Sequence, residues 1–305
     1  MEKVLVTGGC GFIGSHIVEN LLEEGFKVAI VDNLQSGKLK NIPDNVEFYE
    51  KDITSPDIVD TIVNIKPNYI IHQAAQVSVF ESICDIKKDS EINIQGSVNV
   101  INAAKEADVN KIVFASSAAV YGNPEYLPID VNHSTIPLSP YGLSKYTVEQ
   151  YLRIAKEHYN IDYTVLRYSN VFGPKQDARG EGGVISIFAD RIINKADVTI
   201  FGDGEQTRDF IYVKDVARAN VNAIKNGHGK IYNVSSGEKI SINQLFEQMI
   251  RINNSNINVR YKAERNGDIQ HSLLSNDITR EELQWELKYT FNEGLQETVD
   301  YLSTS

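Results

Sequence analysis

Val4-Leu5-Val6-Thr7-Gly8-Gly9-Cys10-Gly11-Phe12-Ile13-Gly14 places a short apolar run directly before a cluster of glycines and an apolar helical pattern directly after it. The stretch reads as a buried strand, a tight turn and the start of a helix. Glycine permits the turn and lets the backbone approach a pyrophosphate, while the helix N-terminus offers free N–H groups and a favourable dipole. A glycine cluster alone also describes an ordinary flexible turn, so a second sign is needed. Asp32 supplies it: the residue ends the next apolar run, 18 positions after Gly14. That is near the spacing at which an acid accepts hydrogen bonds from an adenosine ribose. A carboxylate there repels a 2′-phosphate, which favours NAD over NADP, although the same residue also suits a strand end or a helix cap. Asp52-Ile53, after the third run, is the next candidate wall, around an adenine; alone, Asp52 reads equally as a turn residue.

Outward from the glycines, apolar runs at Val4–Val6, Val28–Val31, Val46–Tyr49, Tyr69–His72, Lys111–Ala115 and Tyr163–Arg167 read as buried strands. Between them, Ile13–Glu24, Pro56–Asn64, Ser90–Glu106 and Tyr141–Tyr159 repeat apolar residues at three- and four-residue spacing. Continuous apolar strands separated by helices imply a parallel sheet covered on both faces, the α/β doubly wound (Rossmann-like) fold. Ligands of that fold lie beyond the carboxyl ends of the strands. After about Asn170 the regularity weakens: strands at Val198–Phe201, Ile231–Val234 and Val259–Lys262 mix with helices at Ile185–Ile193, Val213–Ile224 and Ile242–Ile250. We therefore expect a cofactor domain over 1–169 and a smaller mixed lobe over 170–305, with some later segments returning to the main sheet.

The 305 residues suffice for a large core. With 41 acidic against 30 basic residues, the formal charge of −11 gives no electrostatic reason to bind nucleic acid or an anionic membrane. A small anionic ligand is still compatible, because a few arginines in one cleft hold a diphosphate whatever the global sign. Cys10 and Cys84 form no CxxC pair and have no histidine at metal-ligand spacing, so neither a structural disulfide nor zinc is expected. No apolar stretch has the length of a signal peptide or a membrane span, which points to the cytoplasm.

Ser139-Pro140-Tyr141-Gly142-Leu143-Ser144-Lys145 sets a tyrosine and a lysine four residues apart at the start of a helical pattern, where both share one face. A phenol with a pKa of about 10 is a poor base at neutral pH, but a neighbouring ammonium and a cationic nicotinamide both favour phenolate. Lowering it by about three units needs roughly 4 kcal/mol of differential stabilisation, within reach of two close cations in a dry cleft. Taken alone, the same spacing describes an amphipathic helix with a solvated lysine. Upstream, Phe114-Ala115-Ser116-Ser117-Ala118-Ala119-Val120-Tyr121-Gly122 places serines at the carboxyl end of a strand. A Ser117 hydroxyl there could bridge a substrate hydroxyl to the tyrosine, or simply cap a turn.

At these residues the chain resembles the extended short-chain dehydrogenases/reductases and, within them, the compact archaeal and bacterial UDP-glucose (UDP-galactose) 4-epimerases. The similarity runs nearly end to end: from the glycine loop through His72-Gln73-Ala74-Ala75-Gln76, Asn93-Ile94-Gln95-Gly96, the serine segment and Tyr141/Lys145. It continues through Arg167-Tyr168-Ser169-Asn170-Val171-Phe172-Gly173-Pro174, Phe201–Phe210 and Arg265-Asn266-Gly267-Asp268. The resemblance implies that Tyr141 is the general base, that Lys145 orients the nicotinamide ribose and depresses the tyrosine pKa, and that Ser117 relays the proton. It implies an NAD pocket formed by Gly8, Gly11, Phe12, Ile13, Asp32, Asn33, Asp52, Ile53, Ala74, Ala75, Gln76, Asn93, Tyr141, Lys145 and Tyr168. On the same basis Asn170, Arg208 and Arg265 hold the UDP diphosphate and ribose, uracil packs at Val184, Thr199 and Phe201, and Ser78, Asp268 and Ser272 complete the substrate site. The implied reaction is transient oxidation at C4 of a UDP-hexose, giving a 4-keto sugar that turns over while anchored only by UDP, with NAD retained throughout.

Two features set this chain apart. Ala119 stands where many members of the resembling family carry threonine, and Ser272 stands at the sugar-pocket gate where a bulky tyrosine tends to exclude N-acetyl groups. Serine leaves room for UDP-GlcNAc and UDP-GalNAc, though it could merely pack in a loop. The resemblance also suggests a homodimer in which the 90–106 and 141–159 helices pair across a two-fold axis as a four-helix bundle, although apolar faces that pack within one chain would read the same. Two other readings share the scaffold: a decarboxylase or 4,6-dehydratase, and a non-catalytic NAD-binding regulator. The dehydratase needs an acid/base pair beside the serine segment, which Ser117-Ala118-Ala119 does not offer. Regulators of this type usually lose the tyrosine or the lysine, and this chain keeps both.

Overall fold

A computed structural model describes residues 1–177, 183–264 and 269–304. The first half alternates as the apolar runs dictate: β1 (Lys3–Thr7), α1 (Phe12–Glu23), β2 (Lys27–Asp32), β3 (Glu47–Glu50), α2 (Ile58–Ile65) and β4 (Tyr69–His72). Short helices α3 (Val79–Cys84) and α4 (Ile86–Asp89) lead through a wide π-helical stretch, Ser90–Gly96, into α5 (Ser97–Glu106). Then follow β5 (Lys111–Ser117), α6 (Pro140–Tyr159), β6 (Asp162–Tyr168) and β7 (Asn170–Phe172). The remainder comprises α7 (Val184–Ile193), β8 (Val198–Phe201), β9 (Thr207–Arg208), β10 (Phe210–Tyr212), α8 (Val213–Lys225), β11 (Lys230–Val234), β12 (Ile240–Ser241), α9 (Ile242–Ile252), β13 (Val259–Lys262), α10 (Asp277–Glu282) and α11 (Phe291–Thr304).

Seven strands make one all-parallel sheet in the order β3-β2-β1-β4-β5-β6-β11. The two-residue period of a strand sorts its side chains between two cores. Val4, Val6, Ile30, Ile71, Val113 and Leu166 face one layer with Ile17 and Leu21 of α1 and Val216 of α8. Leu5, Val31, Ile70, Ile112 and Val165 face the other, with Ile58 and Ile62 of α2, Val100 of α5 and Leu152 of α6. Each such aliphatic side chain taken fully from water contributes roughly 1.5–3 kcal/mol, which is why both faces must be covered. Chain order reverses between β1 and β4, and the crevice beyond their carboxyl ends is where this fold keeps its ligand.

The sheet does not stop at residue 169. Lys230–Val234 pairs in parallel with β6, from Thr164 opposite Lys230 to Tyr168 opposite Val234. Trp285, almost wholly buried, joins the first core and donates its Nε1–H to the Asp215 carbonyl at 2.9 Å. A third core, containing Phe172, Phe188, Ile200, Phe210, Leu245, Met249 and Leu295 together with Phe12 of α1, is built mainly from the later residues and carries the small β7/β10, β9/β12 and β8/β13 pairs.

Candidate active site

The glycine loop is shaped by contacts that admit no side chain. Gly8 has φ +71°, and a Cβ there would lie 2.8 Å from the Ala74 nitrogen; a Cβ on Gly14 would lie 2.1 Å from the Gly8 carbonyl oxygen. Close approach of α1 to β1 therefore requires glycine at 14. Among the described residues, only the Gly8 oxygen lies within 4 Å of such a Cβ at Gly11, and no side chain caps the helix that begins at Phe12. Its first turn also holds no acidic residue, so its N–H groups and dipole are available to an anion.

A cavity of ≈ 430 Å³ opens at this point, lined by Gly8, Gly11, Phe12, Ile13, Asp32, Asn33, Asp52, Ile53, Ala74, Ala75, Gln76 and Ser78, among others. Asp32 is buried. Its Oδ2 accepts from Cys10 N at 2.9 Å and its Oδ1 from Leu34 N at 2.8 Å. Burial pushes its carboxyl up from the ordinary range, and the two N–H bonds oppose that shift. Asn33 donates to Asp52 Oδ2 at 2.6 Å, joining the two expected walls. The cradle fits a dinucleotide: a close backbone turn, an uncapped helix start and a carboxylate at the end of β2. The adjacent Cys10 thiol is raised to about 12 by burial and then by Asp32, so it stays protonated and inert.

Behind the lining lies a polar scaffold. Asn93, in the π-helical stretch, accepts from Gln76 N at 2.8 Å, and its two-proton Nδ2 amide is shared among three acceptors, Gln76 O at 2.9 Å, Asp89 Oδ1 at 3.0 Å and Ser144 Oγ at 3.1 Å. It thereby ties the cavity floor to α6, one residue from Lys145. Tyr168 is also buried behind the lining, its hydroxyl accepting from Gln73 Nε2 at 3.0 Å and donating to Asn220 Oδ1 at 2.9 Å. Beneath them Ser97 Oγ donates to Asn93 O at 2.5 Å, so it must accept from His72 Nε2–H at 2.9 Å. His72 Nδ1 then accepts from Thr7 Oγ1–H at 2.6 Å. The buried imidazole is neutral, with its pKa lowered to about 3 by burial and by Lys145.

Helix α6 starts where the sequence demands. Ser139 caps it by accepting from Gly142 N at 3.1 Å, and Pro140 occupies a first-turn position that needs no donor. This sets Tyr141 and Lys145 one turn apart on the face against β5. Lys145 is buried, its Nζ donating to Ala115 O at 2.8 Å and lying 5.1 Å from the Phe114 ring centre and 5.9 Å from that of Tyr141. Burial lowers its pKa to about 8, partly opposed by Asp89. Ser117 ends β5, half-buried, and accepts from Ala119 N at 3.2 Å. One turn beyond Lys145, Glu149 receives Arg167 in a fork, at 3.0 Å from Nε and 2.6 Å from Nη2, with Ser116 Oγ at 2.5 Å. The sequence reading missed this pair, although Glu149 continues the four-residue spacing of Tyr141 and Lys145.

The remaining expected residues follow a contiguous path away from Ser117. Ser117 pairs in register with Tyr168, Asn170 follows in β7, and Asn170 pairs with Phe210 of β10, two residues after Arg208. Arg208 Nη1 donates to Thr207 O at 2.9 Å, and Ser272 N donates to the same carbonyl at 3.1 Å. Phe201 lines a second cavity of ≈ 280 Å³ with Gln206, Glu264 and Gln270. Thr199 is half-buried on β8, and Val184 is half-buried at the start of α7. Arg265 and Asp268 lie outside the described residues.

A dinucleotide crevice at the switch point, with a tyrosine and a buried lysine on one helix face beside the end of β5, defines the class as a short-chain dehydrogenase/reductase scaffold. Residues 4–235 match the family model for the NAD dependent epimerase/dehydratase family. The chain is 44% identical over 305 residues to a putative UDP-glucose 4-epimerase of Methanocaldococcus jannaschii, with 99% of each chain covered. It superposes on a UDP-glucose 4-epimerase of Thermotoga maritima, solved with UDP-glucose, at a TM-score of 0.96 and 41% identity over 99% of both chains. It also superposes on a UDP-N-acetylglucosamine 4-epimerase of Methanobrevibacter ruminantium, solved with UDP-N-acetylmuramic acid, at 0.94 and 38% identity over 99% of this chain and 98% of that one. The chain therefore belongs to the NAD dependent epimerase/dehydratase family, within its UDP-glucose 4-epimerases, and is an NAD-dependent UDP-hexose 4-epimerase.

Proposed function

We propose that Tyr141 is the group that moves the proton at the 4-hydroxyl of the UDP-hexose. NAD, held by the glycine loop, Asp32 and Asn33, the Asp52-Ile53 wall and Ala74–Gln76, supplies reversible hydride exchange at C4 of the sugar. Lys145, fixed on Ala115 O beside the tyrosine ring, stabilises the phenolate and is placed to orient a ribose. Ser117 supplies a hydroxyl between sugar and phenol. Asn93 and Tyr168 hold the cavity floor from behind. The later residues anchor the nucleotide: Asn170, Arg208 and Arg265 take the diphosphate and ribose, and uracil packs at Phe201, Thr199 and Val184. Ser78, Asp268 and Ser272 border the sugar. With the nucleotide held in this way, the 4-keto sugar turns about its link to the diphosphate and presents its other face. The observation that carries this reading is the buried Lys145 ammonium, 5.9 Å from the Tyr141 ring centre at the carboxyl end of β5.

We further propose that N-acetylated sugars are accepted, because Ser272 leaves space at the gate; the likeness to a UDP-N-acetylglucosamine 4-epimerase supports this. Incubation with UDP-Glc, UDP-GlcNAc and UDP-glucuronate, with separation of the products, tests both points. We expect C4 epimers from the first two and no decarboxylated product from the third. A pentose product would favour the decarboxylase reading, and inert UDP-GlcNAc would end the gate proposal.

The active form is proposed to be a cytoplasmic homodimer. Among the described residues no helix is long and apolar enough to cross a membrane. Phe80, Ile83 and Ile86 on α3 and α4, with Leu143 and Ile154 on α6, are exposed apolar side chains on helices that pack against one another. The α5 residues exposed nearby are polar or charged, Asn102, Lys105 and Glu106. A two-fold helical interface would therefore draw on α3, α4 and α6. Sedimentation at micromolar concentration should give a dimer; a monomer would refute it.

A further inference from the structure

Asp209 is fully buried between Arg208 and β10, and among the described residues its carboxylate accepts five hydrogen bonds. Oδ1 accepts from Ser169 Oγ at 3.1 Å and from Ser236 N and Oγ, both at 2.8 Å; Oδ2 accepts from Gly237 N at 3.3 Å and Leu274 N at 3.2 Å. Ser236 Oγ itself accepts from Glu238 N at 3.1 Å, and its one proton has two acceptors in reach, Asp209 Oδ1 at 2.8 Å and Glu238 O at 3.3 Å, of which the carboxylate is the nearer and the charged one. The Asp209 carbonyl accepts from Asn170 N at 2.9 Å. A buried carboxylate persists only with such compensation, and these donors come from three segments distant in sequence. One is the β6–β7 junction that carries Asn170, one is the turn after β11, and one is the stretch that carries Ser272 two residues before Leu274.

We propose that Asp209 is a positioning residue of the nucleotide-binding half, holding Asn170, Arg208 and the Ser272–Leu274 stretch in one register so that a UDP-sugar meets its donors already assembled. This rests on the assignment of Arg208 and Asn170 to the nucleotide. Asp209 touches neither sugar nor nucleotide; it acts through its neighbours. An amide at this site turns one oxygen into a donor aimed at two backbone N–H groups, so Asp209→Asn disrupts the hub while conserving volume.

The test uses NAD-loaded Asp209→Asn and titrates UDP alone by calorimetry, alongside steady-state kinetics with UDP-glucose. We expect the Kd for UDP and the KM to rise about tenfold or more, while NAD content, the pH profile of kcat and kcat itself stay near wild type. Arg208→Ala should weaken UDP, and combining the two substitutions should add little to it. If Arg208→Ala alone leaves UDP binding unchanged, the nucleotide assignment fails. If Arg208→Ala weakens UDP but Asp209→Asn binds it at wild-type affinity, the hub fails instead. Equal loss of NAD and UDP by Asp209→Asn would also overturn the proposal, because a general loosening of the fold would then explain it. Should Asp209→Asn not fold, Ser236→Ala and Ser169→Ala each remove one donor; a rise of about threefold in the Kd for UDP is expected, and unchanged binding refutes the proposal.

Discussion

The Lys145 ammonium donates a 2.8 Å hydrogen bond to the carbonyl of Ala115, two residues before Ser117, which pins the helix bearing Tyr141 to the end of the strand that carries the serine. Lys145 is therefore a buried cation beside a phenol, not a solvated surface lysine. Replacing it by methionine keeps the packing and removes the charge. At pH 7 kcat should fall on the order of 10²-fold. The acid limb of the pH–rate profile should move to higher pH, because the phenolate loses a neighbouring cation. A Lys145→Met enzyme with a wild-type pH profile would contradict this role.

His72 makes stability sensitive to acid. Its imidazole is lowered from 6.5 to about 3 in the folded chain, so between those values the unfolded chain binds a proton that the native one refuses. The contribution is complete above the unfolded value and is lost as pH falls towards 3. Between pH 7.5 and pH 5 the loss from this residue is about 2 kcal/mol. His72→Gln lacks it, so the unfolding free energies of variant and parent, from denaturant titrations at each pH, should converge by that amount on acidification. Parallel stability curves across this range would show that the imidazole titrates normally.

Gly14→Ala should both destabilise the fold and abolish NAD retention. The added methyl group falls 2.1 Å from the Gly8 carbonyl, which belongs to the backbone and cannot rotate away. A cost of about 3 kcal/mol or more is expected. Gly25 is the control: among the described residues a Cβ there meets nothing within 4 Å, but its φ of +80° still strains an alanine by about 1 kcal/mol. Thermal melts and the NAD content of the purified variants report both effects. Equal behaviour of the two would mean that the loop is not held as described.

Ser272→Tyr should narrow the substrate range. The residue is half-buried, its backbone fixed to Thr207 O beside Arg208. A tyrosine should lower kcat/KM for UDP-GlcNAc by about tenfold or more while changing UDP-Glc by less than about threefold, a difference typical of steric discrimination in a pocket. Equal loss on both substrates would place Ser272 away from the N-acetyl position.

Much of this architecture is legible because it is written in local periodicities. Val4-Leu5-Val6 and the Ile112–Ala115 part of β5 are continuous apolar runs, and both faces of each are buried as such runs require. The glycine loop and the Tyr141/Lys145 spacing are equally local. What was missed or left unplaced depends on partners distant in sequence; the return of some later segment to the main sheet is expected, but which one and where is not. The widened turn at Ser90–Gly96 carries Asn93, whose bonds to the Gln76 backbone outweigh ordinary helical spacing, and nothing in its own residues announces that. The apolar run at Ile231–Val234 reads as a strand, but its place beside β6 is a matter of register across some sixty residues. Asp209 shows its role only when Ser169, Ser236, Gly237 and Leu274 come together around it. Glu149 was available to the same helix-face reasoning that found Lys145, and its Arg167 partner was not.

The central claim is that the Tyr141 phenol exchanges the proton at C4 while NAD remains bound. Its most direct test is the rate of UDP-glucose epimerisation by NAD-loaded Tyr141→Phe, which removes one oxygen and leaves the ring packing intact. We predict a loss of about 10³-fold or more in kcat, with NAD content and UDP affinity unchanged. Turnover within a few-fold of the parent enzyme, at full NAD occupancy, would contradict the account.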